Sequence, residues 1–135
     1  MKTFAIIIAL LLSEFALGQT TVTVTVSNIP SDEGEVLFGL YTENTFIKTT
    51  PDYHTSVSIK DHTAMAVFEN IPAGEYAVSC FQDQNSNKIF DLEPNGMPAE
   101  PYGISNNAMN LYGPPQWSEA KFTVGTTPVS MDIRF

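Results

Sequence analysis

Cysteine occurs once in this chain, at Cys80, so no internal disulfide can form and the fold must rest on its core. Cys80 lies between apolar neighbours in an alternating run, the setting of a small buried hydrophobe rather than a nucleophile. Basic residues are scarce. Six Lys and Arg stand against fifteen Asp and Glu, a formal net charge of −9. Phosphate binding needs clustered cations, which argues against nucleic acid as a partner and fits divalent cations and plain solubility. Histidine occurs only at His54 and His62, without the companion Cys and His ligands that zinc takes. No serine stands in a Gly-x-Ser-x-Gly elbow, and no Asn-x-Ser/Thr acceptor is present.

Long apolar runs are absent after the first dozen residues. Met1-Lys2 is a short positive start, Phe4 to Leu12 is apolar, and Ala16-Leu17-Gly18 supplies small residues before Gln19. This is the pattern of a secretory signal peptide, residues 1–18, cleaved near Gly18/Gln19. The run is short for a membrane span. The expected product is secreted or periplasmic, with no membrane span after cleavage. No Cys stands at the cut, so a lipoprotein anchor is not expected. Residues 19–135 are expected to form one domain, large enough to bury a sizeable core unaided.

What the chain does have is period-two alternation. Val22, Val24 and Val26 alternate with threonines; Val36, Phe38 and Leu40 form a second strand, covered on both sides at its centre. Phe46 and Ile47 are candidate anchors in an irregular polar stretch. Val57 and Ile59, then Ala64, Ala66 and Phe68 after a turn at Asp61-His62, give a third and a fourth strand. A tight turn over Asn70 to Gly74 leads to a fifth with Tyr76, Val78 and Cys80 inward. Ala120, Phe122 and Val124, then Val129 to Phe135, close the chain. About seven short strands without helical periodicity predict an all-β sandwich, Ig-like or prealbumin-like.

Between the fifth strand and the last two lies a stretch without long periodicity, residues 84–116, rich in Asn, Gly and Pro. A loop of that length in a compact domain is either functional or disordered. It begins Asp83-Gln84-Asn85-Ser86-Asn87-Lys88-Ile89-Phe90-Asp91, with oxygen-bearing side chains at positions 1, 3, 5 and 9. That spacing wraps oxygens around a hard cation. Asp83, Asn85, Asn87 and Asp91 would offer side-chain oxygens and Ile89 a backbone carbonyl. The carboxylate expected at position 12 is missing, since Pro94 stands there; Glu93 is one residue early, and Glu100 is the preferred substitute. Carboxylates with neutral amides favour Ca²⁺ over Zn²⁺. Few charges on a loose loop predict weak binding, on the order of 10⁻⁴–10⁻³ M. The alternative is an Asx-rich turn held by its own hydrogen bonds. Tyr102, Tyr112 and Trp117 could stack on a sugar or peptide, or anchor the loop to the sandwich.

The second half also resembles a known pattern. Ile71-Pro72-Ala73-Gly74-Glu75-Tyr76-Ala77-Val78 is similar to the strand entry of prealbumin-like and carboxypeptidase-regulatory-like sandwiches. Residues 71 to 122 resemble the family called domain of unknown function 2141, small secreted bacterial proteins. Its blocks occur here in order: Pro72, Gly74, Tyr76, Ala77; Asp83, Asn85, Asn87, Asp91; Gly96, Pro98, Glu100, Tyr102, Gly103, Ser105, Asn106, Asn107; and Gly113, Pro114, Pro115, Ala120, Phe122. Relatives often carry Gly where Ser86 and Lys88 stand, and Phe in place of Ile104. The position of Lys88 in a cation loop often needs positive φ, so Lys there implies strain and a competing positive charge.

The residues thus lead to a non-catalytic binding or structural module of the cell envelope, with a protein or glycan as partner and a Ca²⁺-stabilised loop. A small metal-dependent hydrolase using Asp83, Asp91 and Glu100 is the alternative.

Overall fold

The computed structural model describes residues 18–135. The expected signal peptide falls almost entirely outside the described residues. Among the described residues eight strands form: β1 (Gln19–Ser27), β2 (Glu35–Tyr41), β3 (Tyr53–Ser58), β4 (Ala64–Pro72), β5 (Gly74–Asp83), β6 (Tyr102–Ile104), β7 (Phe122–Val124) and β8 (Val129–Arg134). A 3₁₀ turn at Ser105–Asn107 and a single helical turn, α1 (Trp117–Ala120), interrupt them. One sheet runs β4-β1-β8; the other runs β3-β2-β5-β6, with β7 pairing β5. The protein is an all-β, sandwich-like fold, as the alternation predicts.

The inner faces hold the apolar alternates: Val22, Val24 and Val26 of β1; Val36, Phe38 and Leu40 of β2; Ala64, Ala66 and Phe68 of β4; Tyr76, Val78 and Cys80 of β5. Each aliphatic side chain fully buried here contributes roughly 1.5–3 kcal/mol. The chain crosses from β3 in one sheet to β4 in the other through a tight turn at Asp61-His62, both with positive φ, between reciprocal Lys60 and Thr63 backbone hydrogen bonds of 2.9 and 3.1 Å.

Three expectations are corrected. Asn70 to Gly74 is not a separate turn: β4 runs through Pro72, and only Ala73 separates it from β5 in the other sheet. The corner is fixed by the Tyr76 hydroxyl, which donates to the Pro72 carbonyl at 2.8 Å. Ala120 belongs to α1 rather than to the strand after it. Ile47 does not anchor its segment: Phe46 is buried, while Ile47 is half-exposed with φ 55°.

β8 lies parallel to β1, pairing Val22 with Val129 through Ser27 with Arg134. β2 is covered on both faces at its centre, as the sequence predicts. A Cβ on Gly39 would meet the Tyr41 ring at 2.7 Å and Pro51 at 3.0 Å. No helix among the described residues is long and apolar enough to cross a membrane.

Candidate cation-binding loop

β5 delivers Asp83 to the end of its sheet, where the residue is 1% exposed. The neck is tight because Gly34, at φ 70°, packs directly on the Asp83 carbonyl, leaving no room for a Cβ. The Asp83 carboxylate turns into the loop. Its Oδ1 accepts the Asn87 N–H at 3.2 Å and its Oδ2 the Lys88 N–H at 2.9 Å. Asn85 Oδ1 accepts the Asn87 N–H at 3.3 Å, and Asn87 Oδ1 the Ile89 N–H at 3.0 Å. These are Asx turns, the local geometry that Asn at alternate positions favours.

Asp91 closes the ring. Asn85 Nδ2 lies 2.8 Å from its Oδ2, and Asn87 Nδ2 lies 2.8 and 2.9 Å from its two oxygens. Its carboxyl is held below the usual carboxylate range, first by the Asn87 hydrogen bonds and then by Asn85, against partial desolvation, with a lesser contribution from the Glu100 side chain. Asp83, Asn85, Asn87 and Asp91 therefore converge, and the loop is closed by side-chain hydrogen bonds. Ile89 lies in the same loop with its side chain 64% exposed.

Glu100 is placed at the neck. It is buried, and its Oε2 accepts the Gln84 N–H at 2.9 Å while its Oε1 accepts the Asp91 N–H at 3.0 Å. One carboxylate thus clamps both ends of the loop. Glu93 instead belongs to a small exposed hairpin in which its N–H donates to Met97 O at 2.7 Å and its carbonyl accepts from Gly96 at 2.8 Å. Among the described residues no group of three or more His, Cys, Asp or Glu is placed to hold a metal ion. An ion here would draw on amide and backbone oxygens as well.

Ser86 and Lys88 both adopt positive φ, 57° and 62°. The Lys88 expectation is met: a side-chain-bearing residue sits where glycine would be unstrained. Its ammonium turns to Glu35 Oε2 at 2.8 Å, which lowers the Glu35 carboxyl's pKa and raises that of the lysine.

The three aromatic candidates separate. Trp117 packs against Phe46 with ring centroids 5.8 Å apart, an anchor for α1. Tyr102 is 41% exposed and lies 5.7 Å from the Phe90 ring, which in turn lies 5.2 Å from Phe81. Tyr112 is almost wholly exposed.

Two buried polar residues, Gln82 and Ser105, to neither of which the sequence assigns a partner, organise this end of the molecule. Gln82 Nε2 donates to Ser31 O, Ser31 Oγ and Glu33 O at 3.1, 3.1 and 2.9 Å, pinning the β1–β2 loop beneath the site. Ser105 Oγ accepts from Val78 N–H at 2.9 Å and donates to Ala120 O at 2.6 Å. Asn106 Nδ2 donates to the Glu119 and Lys121 carbonyls, and Asn107 Oδ1 accepts from Arg134 N–H. The Ser-Asn-Asn block is therefore a staple joining β5, α1 and β8. Gly103 beside it leaves no room for a Cβ against Ile133. The one usable signal was the run of αL-tolerant asparagines, since Asn106 and Asn107 have φ 60° and 50°.

The family model described as "Uncharacterized protein conserved in bacteria (DUF2141)" matches residues 24–132. No curated protein and no solved structure matches the chain.

Proposed function

The chain belongs to the bacterial family DUF2141, and from that premise we propose that it is a secreted or periplasmic, non-catalytic binding or structural module whose loop 83–91 is stiffened by a weakly bound Ca²⁺. The observation that carries this reading is the convergence of Asp83, Asn85, Asn87 and Asp91 on one another, with Glu100 spanning the neck. Asn85 and Asn87 already meet Asp91, and Asp83 already holds the backbone of the same turn, so little ordering entropy opposes an ion. Without an ion, the Asn85 and Asn87 amide N–H groups solvate the Asp91 carboxylate. With one, each amide would turn half a revolution about χ2 to present its oxygen. That turn gives up an Asx bond to the backbone, and together with the strain at Lys88 it keeps affinity low. The partner, a protein or glycan of the cell envelope, would then meet a pre-ordered loop.

The test is thermal unfolding of residues 19–135 with 5 mM Ca²⁺ against EDTA. Binding near millimolar affinity raises stability by about 1 kcal/mol at that concentration, a rise of a few degrees. Asp83→Ala should abolish the rise and Lys88→Gly should enlarge it. A wild-type chain indifferent to Ca²⁺ removes the cation from the proposal.

A further inference from the structure

The described residues leave a second feature that the cation loop does not use. On the outer face of β5 and β6 the register sets Phe81 beside Tyr102 and Ser79 beside Ile104. The segment after Asp91 folds over these residues and encloses with them a groove of about 710 Å³, within the size range of small-ligand sites.

Two properties of the groove point to its occupant. None of the residues lining it is Asp, Glu, Lys, Arg or His, although the chain carries 21 such charges apart from histidine (6 basic and 15 acidic). A charged ligand would find no counter-charge there, and an anion would meet the field of a chain at −9. The rim is also apolar and wet: Leu92, Met97, Leu111 and Tyr112 are 57%, 61%, 81% and 97% exposed. Exposed apolar surface gathered around one concavity marks a site that is covered in use. Polar atoms are few and neutral, among them Ser79, Asn110 and the tyrosine hydroxyls. Ile47, held at positive φ, and the flexible Met97 also line it.

We infer that this groove is a binding site for an uncharged, apolar small molecule, gripped between the outer sheet face and the 92–115 segment. The inference goes beyond the cation reading and does not depend on it. Phe90 links the two, since it belongs to the cation loop and also walls the groove.

The experiment titrates the full mature chain, in EDTA, with the uncharged fluorophore N-phenyl-1-naphthylamine and separately with the anionic anilinonaphthalene sulfonate. Saturable one-to-one binding of the uncharged probe, at least about tenfold tighter than that of the anion, is expected. Met97→Ser/Leu111→Ser should weaken it about tenfold or more, with an unchanged melting temperature because both positions are exposed. Met65→Ser, at an exposed position on β4, should leave binding unaltered. Three results overturn the inference: no saturable signal, equal binding of the two probes, or equal binding by the double variant. A fourth is sedimentation showing that the wild-type chain covers this face by dimerising while the double variant stays monomeric.

Discussion

Glu100→Gln tests what the buried carboxylate at the neck of the loop does. In the structure it accepts two backbone N–H groups, from Gln84 and Asp91, at 2.9 and 3.0 Å. Hydrogen bonds to a charged group contribute about 1.5–3 kcal/mol each. Glutamine keeps one acceptor oxygen and turns an NH₂ toward the other N–H, so one bond is lost and two donors face each other. The expected cost is about 2 kcal/mol, near 8 °C in melting temperature for a chain of this size. Glu100→Ala loses both bonds and should cost about 3–5 kcal/mol. The decisive condition is EDTA. If Glu100 works as a clamp, the whole loss is present with the cation chelated, in urea titrations as in thermal scans. If Glu100→Gln matches wild type in EDTA and differs only in Ca²⁺, the clamp reasoning is refuted and the residue acts through the ion alone.

Three further outcomes are expected. Ser105→Ala leaves the buried Val78 N–H and Ala120 carbonyl without their partner and should cost about 2–4 kcal/mol, read by urea denaturation; Ser105→Thr, which keeps the hydroxyl, should cost less unless its methyl overpacks the site. The Cys80 thiol, wholly buried and with its pKa pushed far up by burial, should resist a thiol-specific reagent in the native state and react once urea unfolds the chain; prompt native reaction would contradict its placement. Asp91 has a depressed folded pKa. Its contribution is therefore present above the ordinary aspartate value near 4 and is lost as pH falls through the lower folded value. The melting temperature should fall more steeply below about pH 4 in wild type than in Asp91→Asn.

Most of the strands and the turn chemistry of loop 83–91 were legible in the amino-acid order. Alternation at Val22 to Val26 or at Tyr76 to Cys80 is local, and a half-buried strand is the conformation that places such side chains on one face. That Asp83, Asn85, Asn87 and Asp91 belong to one turn was equally legible, because their hydrogen bonds join residues two to six apart and need no distant partner. The positive φ at Lys88 followed from the same local spacing.

Which strands are neighbours, and what the isolated polar residues do, follow only from the folded arrangement. The parallel pairing of β1 with β8 joins opposite ends of the chain, and no local pattern encodes it. Gln82 reads as an unremarkable polar residue, and Glu100 and Ser105 show nothing of the backbone groups they hold, until the fold brings them together. The short β6 strand was hidden for the same reason: Tyr102 to Ile104 are extended because β5 offers them a ladder, not because three residues can prefer it themselves. Long-range hydrogen bonds and close packing, such as Gly103 against Ile133, exist only after the chain has folded. That is why the site's outline was local information and its foundations were not.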